Sequence, residues 1–370
     1  MRAVTRYICG MLLMRLALLL VGIVSLLISF ELMETADNIL AATDGRSYPL
    51  LRFVVLRAPD LISQMLPIAA LIASILTLGD LLRHRELVAI WNAGVSNFGV
   101  IRSLLPVAVL TLVVQFALEN WVVPSTIQSL RAWGVVADER KDSGSESPTV
   151  WLRSGNDIVA LPREAAMRGE VKDVSIFVRD ARGALIERLD APSAQPVAGG
   201  WKLDSATRHT VDPPRVTHGE ELTWPGQLDL ESVSLVALPP RELPLDRIID
   251  LVINDAYGQR PTALYETWMN HRVASAFAPT LMIFLVAALA QRFRRTGTFA
   301  RLFIFSLVIG FGFLVFDKAT LAIGEAGLLP SWLAAWAPSL IFLALIGTIL
   351  LRDEGQSSEF TAAPGRGLQG

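Results

Sequence analysis

The chain has 370 residues, 52% of them hydrophobic and only 18% charged, with a mean hydropathy of +0.46. Soluble domains carry about a quarter charged residues, so this composition points to a lipid bilayer and excludes a disordered chain, a fibrous repeat and an ordinary cytosolic enzyme. A net charge of −2 gives no overall attraction to nucleic acid.

In chain order, the first long apolar segment is Cys9–Phe30, interrupted only by Arg15, which lies near one end where it can snorkel. It is long, lacks a small-x-small site and continues into Glu31 and Glu34, so it reads as a retained helix and not a cleaved signal. Charge-free stretches follow at Leu61–Gly79, Ser103–Leu118 and Val273–Ala290. Leu302–Phe316 resumes after Asp317 and Lys318, and Trp332–Leu351 completes the set. A bilayer core takes about 20 helical residues, so six membrane helices are expected.

With the N-terminus inside, the inner segments hold ten basic residues, among them Arg83, Arg85, Arg292, Arg294 and Arg295, against four at most in the two short outer loops. The positive-inside rule therefore favours a cytoplasmic N-terminus.

Gly79–Ser96 (GDLLRHRELVAIWNAGVS) joins helices two and three on the inner side. Leu82, Leu87, Ile90 and Trp91 form an apolar stripe at helical spacing beside Arg83, Arg85 and Glu86, and Gly94 is suited to a C-terminal cap. Two readings stand: a helix lying on the inner leaflet, or a coupling helix (about 80–96) docked on a cytoplasmic ATPase. Between helices three and four, residues 125–265 are polar with short alternating apolar runs. Val150–Leu152 and Ile158–Leu161 flank a hairpin at 153–157, and Val174–Val178 and Leu185–Leu189 flank a second at 180–183. Turn signals about every ten residues predict a sandwich or jelly roll on the outer face. The Gly- and Ser-rich tail, 353–370, is expected to be disordered.

The four lysines, Lys141, Lys172, Lys202 and Lys318, are followed by Asp, Asp, Leu and Ala, so no P-loop exists in which Lys precedes Ser or Thr to grip a nucleotide. The single Cys9 excludes an internal disulfide and a Cys-based zinc cage, and the four scattered histidines form no HExxH. Glu266 and His271 lack a nucleophile or second carboxylate beside them. The chain is expected to be a non-catalytic membrane subunit without metal or cofactor.

Arg6-Tyr7-Ile8, RELVAIWNAGVS, the inserted β domain and GTFARLFIFSLVIGFGFLVFDKATLAIGEAGLLPSWLAAWAPS together resemble the LptF/LptG family of lipopolysaccharide-export permeases over residues 1–352. Phe316-Asp317-Lys318 and Leu-Pro-x-Trp-Leu-Ala-Ala-Trp resemble the LptG branch more than LptF. The resemblance implies an inner-membrane half-transporter paired with a paralogous permease, LptF, on an LptB ATPase dimer that binds ATP and Mg, with the single helix of LptC alongside. Lipopolysaccharide is then extracted from the outer leaflet and passed through a periplasmic jelly roll toward the outer membrane. The family's ATPase-contacting Glu carries over to Glu86. Arg83, Arg85, Leu87, Ile90 and Gly94 join it from local chemistry. Phe30, Glu31, Glu34, Leu314, Asp317 and Lys318 are candidates for the substrate cavity, and Trp151, Ile158, Ile176, Val178 and Trp201 for the β-domain conduit.

The sequence departs from the family where basic residues usually meet the substrate's phosphates: helix one carries Glu31, Glu34 and Asp37 there. These are either solvated or paired with Arg52, Arg57 or a partner's basic groups, or they share a divalent cation with substrate phosphates. Asp317 and Lys318 either line the cavity mouth or pair with a neighbouring helix. Two other functional classes stay open: an ion-coupled secondary transporter and a membrane-anchored envelope scaffold.

Overall fold

The computed structural model describes residues 2–41, 48–87, 89, 97–133, 149–162, 165–166, 170–180, 182–197, 199–219, 221–226, 238–253, 262–292 and 299–361. It divides into a membrane unit (Met1–Val135, Asn270–Ile323, Trp332–Gly370) and a second unit (Val136–Met269, Gly324–Ser331). The described residues contain six helices long and apolar enough to cross a membrane, as the apolar stretches require. The β strands all lie between the third and fourth of them.

The membrane unit contains α1 (Arg2–Ala41), α2 (Pro49–Arg83) and α3 (Asn97–Ala117). A π-helical turn (Leu118–Val122) continues α3 into α4 (Val123–Trp133). Beyond the β strands, α6 (Thr262–Ala274), whose residues through Met269 belong to the second unit, passes through a 3₁₀ turn (Ser275–Phe277) into α7 (Ala278–Arg292), followed by α8 (Phe299–Glu325) and α9 (Ser331–Thr361). The helical backbone therefore outruns the apolar stretches. It continues past Leu118 to Trp133, starts again at Thr262, and runs beyond Arg352 to Thr361, where the sequence predicts disorder.

The apolar windows of α2 and of α6–α7 are 67% and 72% buried, whereas those of α1 and α8 are each 22% buried; the former pair forms the centre. Ala69, Ala70 and Ala73 of α2 sit in one core cluster with Leu281, Met282, Leu285 and Val286 of α7, and small side chains let helix backbones approach where no hydrophobic force drives association. On α1 and α8 the stripes Met14, Leu18, Val21 and Ile304, Val308, Phe311, Val315 are exposed at helical spacing, a surface that only lipid or another protein can cover.

In the second unit the strands are β1 (Thr149–Ser154), β2 (Asp157–Pro162), β3 (Lys172–Arg179), β4 (Leu185–Val197), β5 (Gly200–Asp204), β6 (Thr207–Thr210), β7 (Arg215–His218) and β8 (Glu221–Trp224). They form one antiparallel sheet, ordered β1-β2-β3-β4-β5-β8, which forks because long β4 also pairs β6, and β6 pairs β7. Both expected hairpins are present: Ser154 pairs Asp157 across Gly155-Asn156, and Arg179 pairs Leu185 after a bulge. Gly200 is dictated by contact, since a Cβ there would lie 2.1 Å from the Trp224 carbonyl oxygen.

Alternation gives the sheet two faces. Leu152, Val159, Ile176, Leu189, Trp201 and Trp224 bury one face together with Ile248 and Leu251 of the amphipathic helix α5 (Leu245–Ile253). Asp157, at the start of β2, ties the first hairpin to β8 and β3 by accepting from Trp224 Nε1 at 2.8 Å and from the Arg179 amide at 3.1 Å.

Candidate functional site

At the α2–α3 end of the membrane unit, α2 runs through Arg83, so Gly79–Arg83 belong to a membrane helix and not to a separate coupling helix. The chain then breaks: His84 and Arg85 form a turn with Arg85 at φ 58°. A new helical turn starts at Glu86, with the Ala89 amide donating to the Arg85 carbonyl at 3.1 Å. Leu87 is fully buried in the membrane-unit core, while Arg83, Arg85 and Glu86 are exposed. Tyr7 Oη donates to Glu86 Oε2 at 3.2 Å, and Arg15 pairs with Asp80 at 2.6 Å. The first contact ties the start of α1 to this connection, and the second holds α1 to the last turn of α2 just before it. Ile90 and Gly94 lie outside the described residues.

The acidic group on α1 lies toward the other end. Glu31 accepts two hydrogen bonds from Arg57, Nε and Nη2 each at 2.8 Å, a bidentate fork. Arg57 Nη1 also reaches the buried Asp60 at 2.9 Å, and Gln64 donates to the same carboxylate. Of the pairings open from sequence, Glu31–Arg57 is present, whereas Arg52 lies over the Trp133 ring at 4.7 Å. Glu34, Asp37 and Phe30 are exposed. Asp317 faces a neighbouring helix: its carboxylate is 3.7 Å from His271 Nδ1 and 3.6 Å from Lys318 Nζ, with Lys318 itself exposed. Leu314 packs against the core cluster.

A further polar group was not singled out from the sequence. Glu119, in the π turn, accepts from Gln115 Nε2 at 2.6 Å and from Ser275 Oγ, and its backbone carbonyl accepts from Arg272 Nη1. Gln115 also donates to the Ser63 carbonyl at 3.1 Å. Ionisable groups inside membrane helices are costly and mark functional positions. The available signal was a proline beside each of the two irregular turns, Pro124 and Pro279, and a third, Pro67, inside α2.

The five conduit candidates divide between the two faces of the sheet. Ile176, Val178 and Trp201 belong to the buried face. Trp151 and Ile158 point the other way, by strand alternation; there Trp151 stacks on Phe177 with ring centroids 5.4 Å apart, and Arg188 lies over Phe177 at 5.4 Å. Among the described residues no group of three or more His, Cys, Asp or Glu is placed to hold a metal ion.

Six spanning helices, a β domain inserted after the third and an exposed, tethered connection between the second and third define a multi-pass membrane protein with an inserted β domain. The sequence pattern of the family described as "Lipopolysaccharide export system permease LptF/LptG" matches residues 6–352, and the chain belongs to that family. It is similar to the lipopolysaccharide export system permease protein LptG of Haemophilus influenzae, with 23% identity over 311 residues covering 81% of this chain and 85% of that protein. It is also similar to LptG of Escherichia coli K12, with 23% identity over 309 residues covering 81% and 84%. The resemblance to the LptG branch is borne out by both.

Proposed function

We propose that this chain is one permease half of an ATP-driven lipopolysaccharide exporter in the bacterial inner membrane. Its β domain stands in the periplasm, and its partners are a paralogous LptF-type permease, an LptB-type ATPase dimer carrying ATP and Mg²⁺, and an LptC-type single helix. The names of its relatives support lipopolysaccharide export, and the arginine distribution supports the orientation.

The observation that carries the reading is the break at His84–Arg85, which ends α2 and sets the Glu86 carboxylate on the surface while Leu87 anchors it in the core. A chain without a P-loop needs such a contact to receive work from a separate ATPase. The energetics require that work, because withdrawing acyl chains from a bilayer costs about 0.8 kcal/mol per CH₂ exposed. The membrane half is therefore driven to empty its lipid into another apolar cleft, and the β domain supplies that cleft.

Glu86→Ala and Glu86→Arg are expected to lower recovery of the ATPase with the purified complex by about tenfold while leaving membrane insertion intact. Wild-type ATPase recovery with Glu86→Arg would remove Glu86 from the contact and take the main support from this reading.

A further inference from the structure

We propose that Ser63, Glu119 and Ser275 mark a joint at which the second, third and fourth membrane helices bend together during the transport cycle. The proposal rests on the exporter reading above and adds where the membrane unit articulates.

Three helices lose their regular backbone bonding at this group. A proline withholds its amide from the carbonyl four residues earlier. Pro67 lies inside α2, and the Ser63 carbonyl it leaves without an α-helical donor is taken by Gln115 Nε2 of α3. Pro279, second in α7, withholds the α-helical donor from Ser275, and the chain tightens into a 3₁₀ turn in which the Ala278 amide serves the Ser275 carbonyl. In the third helix the Val123 amide goes back to Leu118, closing a π turn. Pro124, which follows, has no amide for Glu119, so the Glu119 carbonyl is taken by Arg272.

Side chains from neighbouring helices thus replace backbone bonds at two of the three breaks. The Glu119 carboxylate joins α3 to the fourth helix through Ser275, 156 residues away in sequence. Membrane helices tolerate such breaks where neighbouring helices or local 3₁₀ and π adjustments satisfy the freed groups.

The level is the same in all three helices. Ser63, Glu119 and Arg272 each lie about twenty residues from the opposite helix end, at Arg83, Phe98 and Arg292, which is about 30 Å at 1.5 Å per residue. That is about one hydrocarbon thickness, so the group sits where the helices leave the bilayer and continue as α4, α6 and the first turns of α2. π turns and prolines are the usual causes of helix bends, and π turns recur at functional sites. A side-chain bond can be exchanged as a helix bends, whereas a continuous backbone ladder resists bending. Three coincident breaks linked by exchangeable bonds form a joint, and the extensions beyond the membrane move as a set.

The test uses the complete exporter complex reconstituted in lipid, with wild-type and Pro67→Ala/Pro279→Ala chains. Restoring two amide donors completes the backbone ladder and stiffens the helices, so the variant is expected to assemble, to melt at the wild-type temperature or above, and to hydrolyse ATP. Its ATP-dependent release of lipopolysaccharide is expected to fall about fivefold or more. Wild-type release by an assembled variant would overturn the joint. A wild-type complex with no ATP-dependent release would overturn the exporter reading, and the joint with it. A second measurement needs no substitution: amide hydrogen exchange over residues 116–126 and 272–280 of the wild-type complex, nucleotide-free and vanadate-trapped. The joint predicts at least about a threefold difference in exchange rate between the two states, and identical protection would overturn it.

Discussion

Asp157 joins the first hairpin of the β domain to its last strand, taking the indole N–H of a nearly buried Trp224 on one oxygen and the Arg179 amide on the other. Asp157→Ala removes both acceptors and leaves the indole N–H of the buried Trp224 without a partner, at about 1–3 kcal/mol. The β domain of this variant is expected to become protease-sensitive at a distinctly lower urea concentration, while the membrane helices keep their helical circular dichroism. In the membrane unit, Arg57→Leu takes the cation from between Glu31 and Asp60. Removing one partner of a buried pair costs about 3–5 kcal/mol because the remaining charge stays buried. Asp60 is 2% exposed, so thermal scanning of the purified chain should show a drop of several degrees, with Arg57→Leu/Asp60→Leu recovering much of it. The sequence contained both arginines as partners for the acidic group. It did not distinguish them, because that depends on which face of α2 meets α1, and the rotation gives Arg57 to Glu31 and Arg52 to Trp133.

Elements were legible where one local rule decides them. The six apolar stretches became six spanning helices because hydrocarbon leaves the backbone no other partner, and the first hairpin, expected at 153–157 between alternating strands, closes on Gly155 and Asn156. Helix ends were less legible: outside the bilayer, apolar content stops marking them while the backbone ladder simply continues, as in α4 and the start of α6. Helix contacts were not legible at all. Gly310 of α8 passes so close to α2 that an added Cβ would lie 2.5 Å from a Leu71 methyl carbon, and nothing local in the sequence announces this. Gly310→Val forces the two helices apart, an overpacking cost of about 1–3 kcal/mol. It is expected to lower the thermal midpoint of the purified chain, whereas Gly312→Val, whose Cβ meets nothing within 4 Å, should leave it unchanged. Equal midpoints for the two variants would disprove close α2–α8 packing.

At the scale of the whole molecule, the order of helices and strands was legible from hydropathy alone, but the polar group around Glu119 was not. Its members come from residues 63, 115, 119, 272 and 275, which only the folded bundle brings together. The same limit applied to the conduit candidates, which were chosen for apolar character before the sheet assigned them faces. That assignment decides the route expected for lipid. The face bearing Trp151 and Ile158 also carries Arg188, Asp190 and His209, which pair there at 2.8 and 3.5 Å. Acyl chains laid over it would strip water from charged groups, a cost without return. The other face is mostly apolar, its described charged groups including the paired Glu187 and Arg208 (3.2 Å) and Asp157, and is covered by Ile248 and Leu251 of α5, so on the proposed export route lipid is expected to enter it by displacing that helix. Photo-crosslinking probes at Ile176 and Trp201 should therefore capture lipopolysaccharide in cells only when the ATPase is functional, and probes at Trp151 and Ile158 should not. Adducts confined to Trp151 and Ile158 would move the route to the charged face and leave α5 as a fixed part of the core.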